Sequence, residues 1–311
     1  MGLIEQAVEL LQNASPQQPT KPAEQLPKPI GQLVERRQDG PALSAPAEAA
    51  AVPCRNERTV RIDIPALRAA GLVAPQDEER QLAAEYRIIK GPLLAAMTGE
   101  NRLRLGNIVV VTSALPNEGK TFTTINLALS LALERDREVV LVDGDVAKAH
   151  ITHLFGLDGE SGFLDLGAVG REFEETIVKT DYPSLYVLPA GNQNVEATEI
   201  LRSERISSLL TSLAAEPRRI VLIDAPPLLV TSEAGVLASL AGQVVVVVKA
   251  AETPQEAVVH AIETIAEVTP VSLVLNQADA VPTHGYGYYG RYGYGRPDGE
   301  ATTNSTGGNP S

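Results

Sequence analysis

Donor and acceptors for a phosphoryl transfer can both be read in this chain. Residues 114–121 are Ala-Leu-Pro-Asn-Glu-Gly-Lys-Thr, preceded by the apolar run Asn107–Ser113 and followed by a helical pattern. A Gly-Lys-Thr triplet between a strand and a helix is suited to holding phosphates. Backbone N–H groups of the loop and helix start point at the ligand, and the helix dipole adds attraction. The expected nucleotide-binding set is Pro116, Asn117, Glu118, Gly119, Lys120, Thr121 and Phe122, with Lys120 bridging the terminal phosphates and Thr121 offering its hydroxyl to Mg²⁺. The first glycine of the G-x-x-x-x-G-K-[ST] pattern is Ala114 here.

Three carboxylates follow apolar runs. Asp143 and Asp145 end VVLVDGDVAK, two residues apart and so on one side of an extended chain. Such a pair beside a triphosphate holds Mg²⁺ or accepts a proton. Asp224 ends IVLIDAPP, at the strand-tip position of a carboxylate that holds Mg²⁺ through water. The expected metal residues are Thr121, Asp143 and Asp224. The expected catalytic residues are Lys120, Asp143 and Asp145, with the base open between the two aspartates. Asn276, which ends the strand pattern in VSLVLNQAD, can hydrogen-bond an adenine edge. The cofactors implied are ATP and Mg²⁺.

The acceptors lie far downstream. Five of the eight tyrosines, Tyr286, Tyr288, Tyr289, Tyr292 and Tyr294, sit in HGYGYYGRYGYGRP. A tyrosine hydroxyl has a pKa near ~10, so it needs a base or a strongly stabilised transition state to attack phosphorus. A Gly-rich segment of about 30 residues has an r.m.s. span of about 30 Å, enough to reach a neighbouring subunit.

These groups need a scaffold. Strand patterns recur at Asn107–Ser113, Glu138–Val142, Leu185–Leu188, Arg219–Asp224, Gln243–Lys249 and Val271–Asn276. Helical patterns lie between them, including Lys120–Glu134 and Pro254–Val268. Runs this apolar are buried on both faces, which predicts an α/β fold with a parallel sheet flanked by helices. Ligands on such sheets bind at the carboxyl ends of the strands, where all the motifs fall. A further helix follows Asp77, carries Leu82, Tyr86, Ile89, Leu93 and Met97 on one stripe, and is expected to break or kink at Gly91-Pro92.

The rest of the chain divides by composition. Residues 1–14 have the spacing of an amphipathic helix whose polar face is Glu and Gln, the pattern of a docking peptide. Residues 15–57 are a Pro/Ala-rich linker without apolar periodicity, 58–280 the phosphate-binding domain, and 281–311 a Gly/Tyr-rich disordered tail. Net charge is −13 with no Lys/Arg-rich run, which argues against a nucleic-acid partner. The single cysteine, Cys54, makes no internal disulfide and fits a reducing cytoplasm. No apolar run approaches the ~20 residues of a membrane span, and the N-terminus has no basic leader.

The order of the N-E-G-K-T loop, the D-x-D and D-A-P-P strand ends and the tyrosine-rich tail resembles the bacterial tyrosine kinases, cytoplasmic autokinases of exopolysaccharide biosynthesis. SALPxEGKTF, LVDxDVAK and LLVTSEAGVLAS are most similar to the exosortase-associated type, over residues 58–295. The resemblance implies a P-loop NTPase-type fold and a homo-oligomeric ring in which each subunit offers its tail to its neighbour. It implies a transmembrane polysaccharide co-polymerase as activator, a cognate tyrosine phosphatase, and a place at the inner membrane through that partner. By the same resemblance Lys120 and Thr121 bind phosphate and Mg²⁺, Asp143 and Asp145 hold Mg²⁺ and prime the tyrosine, and Asp224 completes the metal site.

The chain departs from that family at several positions. Ala147 stands where many members have Arg, with Lys148 one place on, and Asn117 replaces a loop glycine. Ala84, Arg87 and Lys90 occupy the places of a Glu-Arg-Arg series used between subunits, with Glu85 one place off. The alternative class is a P-loop switch ATPase of the partition and cell-division type. That class carries an extra loop lysine where Leu115 stands and often ends in a basic amphipathic helix.

Overall fold

The structure, a computed structural model, describes residues 32–35, 54, 56 and 58–278, except 101, 169, 193–195 and 266–268. The expected helix over 1–14, most of the linker and the five tail tyrosines lie outside the described residues.

Nine strands form one sheet among the described residues. They are β1 (Gln32–Glu35), β2 (Arg58–Arg61), β3 (Ile108–Ser113), β4 (Glu138–Asp143), β5 (Val178–Thr180), β6 (Leu185–Leu188), β7 (Arg219–Asp224), β8 (Gln243–Lys249) and β9 (Val271–Asn276). Their order across the sheet is β1-β2-β5-β6-β4-β7-β3-β8-β9. From β6 through β9 every neighbouring pair is parallel, as expected for strands this apolar. β5 pairs antiparallel with β6, and β1 antiparallel with β2. β1 falls inside 15–57, so four residues read as linker add an edge strand.

The helices are α1 (Ile64–Ala69), α2 (Glu79–Met97), α3 (Lys120–Ala132), α4 (His150–Leu154), α5 (Phe173–Thr176), α6 (Ala197–Leu201), α7 (Glu204–Ala214), α8 (Ser232–Leu240) and α9 (Gln255–Glu263). Strand alternation sends successive side chains to opposite faces. Val109, Val111, Val245 and Val247 pack with Leu127 and Leu131 of α3 and Tyr86 and Leu93 of α2. Ile108, Val110, Val244 and Val246 pack with Ile206 and Leu210 of α7, Leu237 of α8 and Val258 of α9. The sheet is thus covered on both faces, and its central strand ends are fixed by two cores.

α2 runs through Pro92 without the expected break. Gly91 and Pro92 are exposed, so water can satisfy the carbonyl that the missing N–H would have met. Tyr86 and Leu93 are buried as the stripe predicts. Lys90, one of the positions compared with the inter-subunit series, turns into the fold. Its Nζ donates to Ser130 O at 2.8 Å and pairs with Glu134 at 2.7 Å. Ala84, Glu85 and Arg87 remain exposed. No described helix is long and apolar enough to cross a membrane.

Candidate functional site

Three adjacent central strands, β4, β7 and β3, deliver the site at their carboxyl ends. The loop after β3 turns into α3 through two residues with positive φ, Asn117 at 64° and Gly119 at 89°. Asn is among the few side-chain-bearing residues that tolerate this region, so it can stand where a glycine is common. Gly119 has a second constraint: a Cβ there would be driven into the Asn276 side-chain amide. Gly119→Ala is therefore expected to strain the turn and displace Asn276. Backbone strain of this kind costs roughly 1–3 kcal/mol. Nucleotide titration is expected to show roughly tenfold or greater loss of ATP affinity with the fold retained, and unchanged affinity would refute the fit.

The loop is tied down from behind. Glu118 is 2% exposed, and its carboxylate accepts from Leu115 N at 2.6 Å and from the Thr253 hydroxyl. Thr253 Oγ1 also accepts from Lys249 N at 3.1 Å, linking the loop to the end of β8. Asn276 Nδ2 donates to Glu118 O at 2.9 Å, linking it to the end of β9. The Glu118 side chain thus shapes the loop, which leaves backbone groups for a ligand. Pro116 and Asn117 are exposed, and Thr121 and Phe122 half-buried.

The charged side chains of the three motifs lie together. Lys120 Nζ pairs with Asp145 Oδ2 at 2.8 Å. Thr121 Oγ1 donates to Asp224 Oδ2 at 2.7 Å, and Thr124 Oγ1 donates to Asp224 Oδ1 at 3.0 Å. Asp143 Oδ2 accepts from Thr152 N at 2.8 Å and Thr152 Oγ1 at 2.7 Å. Asp143 Oδ1 is buried with no hydrogen-bond partner among the described residues. Gly144 lets the strand turn pack against β7: a Cβ there would lie 2.7 Å from Ile223 Cγ2, and Gly144 N donates to Asp224 O at 2.8 Å. Thr124, Thr152 and Thr253 lie outside the residues expected from sequence. Thr124 lies one helical turn past Lys120, a spacing that could have revealed it, whereas nothing local marks Thr152 or Thr253.

Burial dominates the electrostatics. It pushes Asp143 up to about 7, against the pull of two hydrogen bonds from Thr152, with Asp224 and Asp145 adding to the rise. Burial also raises Asp224, held back by Lys120 and the hydroxyls of Thr121 and Thr124. Burial opposes the charge of Lys120, but Asp224, Asp145 and Asp143 outweigh it and leave the ammonium above its ordinary value. His150 is lowered by burial and by Lys120. Lys148 and Ala147 are exposed.

The donors fit Mg²⁺ bound with a nucleotide. Among the described residues no three His, Cys, Asp or Glu converge into a metal cage. What is present is a hydroxyl against a carboxylate, Thr121 and Asp224, with the unpartnered Asp143 Oδ1 as a further oxygen. Mg²⁺ takes few protein ligands and completes its shell with phosphate oxygens and water. The phosphate loop, the lysine and the strand-end carboxylates together define a P-loop nucleotide-binding protein.

Comparison with known proteins narrows the class. The model of the AAA domain family matches residues 107–276, and the chain belongs to that family. EpsB of Ralstonia nicotianae, named provisionally as a tyrosine-protein kinase, is 34% identical over 193 residues, 60% of this chain and 25% of EpsB. Tyrosine-protein kinase YwqD of Bacillus subtilis is 29% identical over 184 residues, 58% of this chain and 77% of YwqD. The crystal structure of the VpsO kinase domain superposes with a TM-score of 0.55 at 27% identity, covering 66% of this chain and 100% of that one. This chain therefore spans about a quarter of the length of EpsB.

Proposed function

We propose that this protein is an ATP-dependent protein-tyrosine autokinase that phosphorylates its own tail at Tyr286, Tyr288, Tyr289, Tyr292 and Tyr294. The observation that carries this reading is the convergence of Lys120 with Asp145 and of Thr121 with Asp224, beside Asp143, on three neighbouring strands. Named kinases among the relatives support it.

Mg·ATP, when bound, supplies the transferable phosphoryl group with its charge neutralised by the metal. Lys120 leaves Asp145 to hold the terminal phosphates, and the N–H groups from Asn117 to Phe122 line them. Thr121 Oγ1 and Asp224 would hold Mg²⁺. Asp143 Oδ1 accepts the tyrosine proton, directly or through one water, while Thr152 fixes the other carboxylate oxygen. Asn276, which braces Glu118 O, also meets the adenine edge.

The wider setting belongs to the same proposal. Chains assemble into a ring and exchange tails in trans. A transmembrane polysaccharide co-polymerase activates them at the inner membrane, and a cognate tyrosine phosphatase resets them. Five phosphates add roughly −8 to −10 charges beside Arg291 and Arg296, enough to release a docked tail and so regulate exopolysaccharide assembly. Intact-mass spectrometry of protein incubated with Mg·ATP, followed by peptide mapping, tests the reading. Stepwise gain of phosphoryl groups on residues 281–311 is the expected result. ADP formation with an unmodified tail would replace it with a switch ATPase.

A further inference from the structure

Arg219 is a buried cation at the start of β7, 8% exposed, at the end of the strand opposite Asp224. Its Nε is buried and has no hydrogen-bond partner among the described residues. A buried polar group left in this state calls for an explanation, because its desolvation is uncompensated. Glu138 stands opposite Arg219 in the β4–β7 register and supplies countercharge from the strand side, yet Nε still lacks an acceptor.

Arg219 lines a cavity of about 350 Å³. Arg205 and Arg171 line the same space, with Ser208, Ser212 and Phe173. Arg205, Ser208 and Ser212 follow i, i+3, i+7 spacing and so share one face of α7. Arg205 is fixed in place: Nε donates to Leu166 O at 2.7 Å and one Nη donates to Arg171 O at 2.9 Å. Glu172 and Glu174 also border the cavity, so three arginines face two carboxylates, and a ligand with a compact double charge gains most at the arginine end.

We propose that this cavity binds a small organic phosphate, a phosphomonoester whose dianion meets Arg219, Arg205 and Arg171 and whose body lies against Phe173. Guanidinium forks match phosphate geometry, and a volume of this size suits a small ligand. The site is distinct from the nucleotide site. Five residue steps along β7, roughly 16 Å, separate Arg219 from Asp224.

The test uses the full chain with its nucleotide site saturated by Mg·ADP, titrated calorimetrically with phenyl phosphate and inorganic phosphate. Phenyl phosphate is expected to bind with a Kd below about 1 mM, and Arg171→Gln, at an exposed position, to weaken it roughly tenfold or more. Arg219→Met is expected to abolish binding while far-UV circular dichroism shows the fold retained, although the loss of the countercharge to Glu138 lowers its melting temperature. Inorganic phosphate binding as tightly as the ester would make the anion, and not an organic phosphate, the ligand and overturn the assignment of class. No binding to the parent chain, or equal binding to both variants, would overturn the site itself.

Discussion

Lys120→Met is expected to abolish tail phosphorylation, by on the order of 10³-fold or more, because it removes the cation that the phosphate loop presents to the transferring phosphates. In the structure Lys120 is 8% exposed and shares a 2.8 Å ion pair with Asp145. Its loss leaves Asp143, Asp145 and Asp224 buried together with no countercharge among them. Breaking a buried pair from one side destabilises by about 3–5 kcal/mol, so the variant is also expected to melt earlier. Thr121→Ala, which removes only a hydroxyl on Asp224, provides a second variant with a smaller effect on folding. Mixing a chain truncated before residue 281 with full-length Lys120→Met separates donor from acceptor. Phosphotyrosine on the Lys120→Met chain is the expected result and shows transfer between subunits. Phosphotyrosine on Lys120→Met incubated alone would remove Lys120 from the mechanism.

The strands that carry the chemistry are legible in the sequence because they are uniformly apolar. β3, β4 and β7 are buried at every or nearly every position, so their ends, and the carboxylates on them, can be placed to within a residue. β5 is not legible: three residues long and alternating buried and exposed, it carries no distinct apolar run and is held by pairing with β6. β1 is hidden because its pairing with β2 is a long-range event in a stretch of chain rich in proline. α9 ends at Glu263, short of the expected Val268, and residues 266–268 lie outside the described part. Pro92 misleads in the opposite direction, because proline removes a hydrogen bond but does not end a helix where water can replace it.

The same limit applies to the site. Residues that touch phosphate or metal come with a motif, because the ligand constrains neighbours along the chain. Residues that hold those residues come from elsewhere in the sequence. Thr152 reaches Asp143, and Thr253 reaches Glu118 across 135 positions. Departures from the family pattern divide in the same way. Asn117 keeps the positive φ that the loop needs, so the geometry survives the change. Ala114 is fully buried beneath the loop, where its small side chain fits the core. Lys90, by contrast, is used within the subunit, where it holds Ser130 O and Glu134.

Asp143→Asn is expected to change stability and activity in opposite directions. Asp143 is fully buried, and burial raises its pKa from 3.8 to about 7 in the folded chain. A carboxyl whose folded pKa is raised favours the fold when protonated. That contribution is fully present below the unfolded value of 3.8 and is lost as pH rises through about 7. Three units correspond to an upper bound of about 4 kcal/mol, and the orphaned N–H₂ of the introduced amide offsets part of it. The amide oxygen of the variant would still accept from Thr152 N and Oγ1, so the local geometry is kept. Without Mg²⁺ or nucleotide, the variant is expected to be more stable by about 1–3 kcal/mol at pH 8, several degrees of Tm. The gain is expected to shrink steadily toward pH 4, where the parent carboxyl is protonated in the fold and begins to protonate in the unfolded chain as well. Phosphorylation is expected to fall by about 10²-fold or more, since an amide cannot accept the tyrosine proton. Melts of both chains across that pH range, paired with tail phosphorylation rates, read the two effects separately. A variant less stable than the parent at pH 8, or a gain that grows toward acid, would show that Asp143 is a structural carboxylate held by Thr152. Greater stability with lost activity would show that this buried charge is retained for chemistry at the expense of the fold.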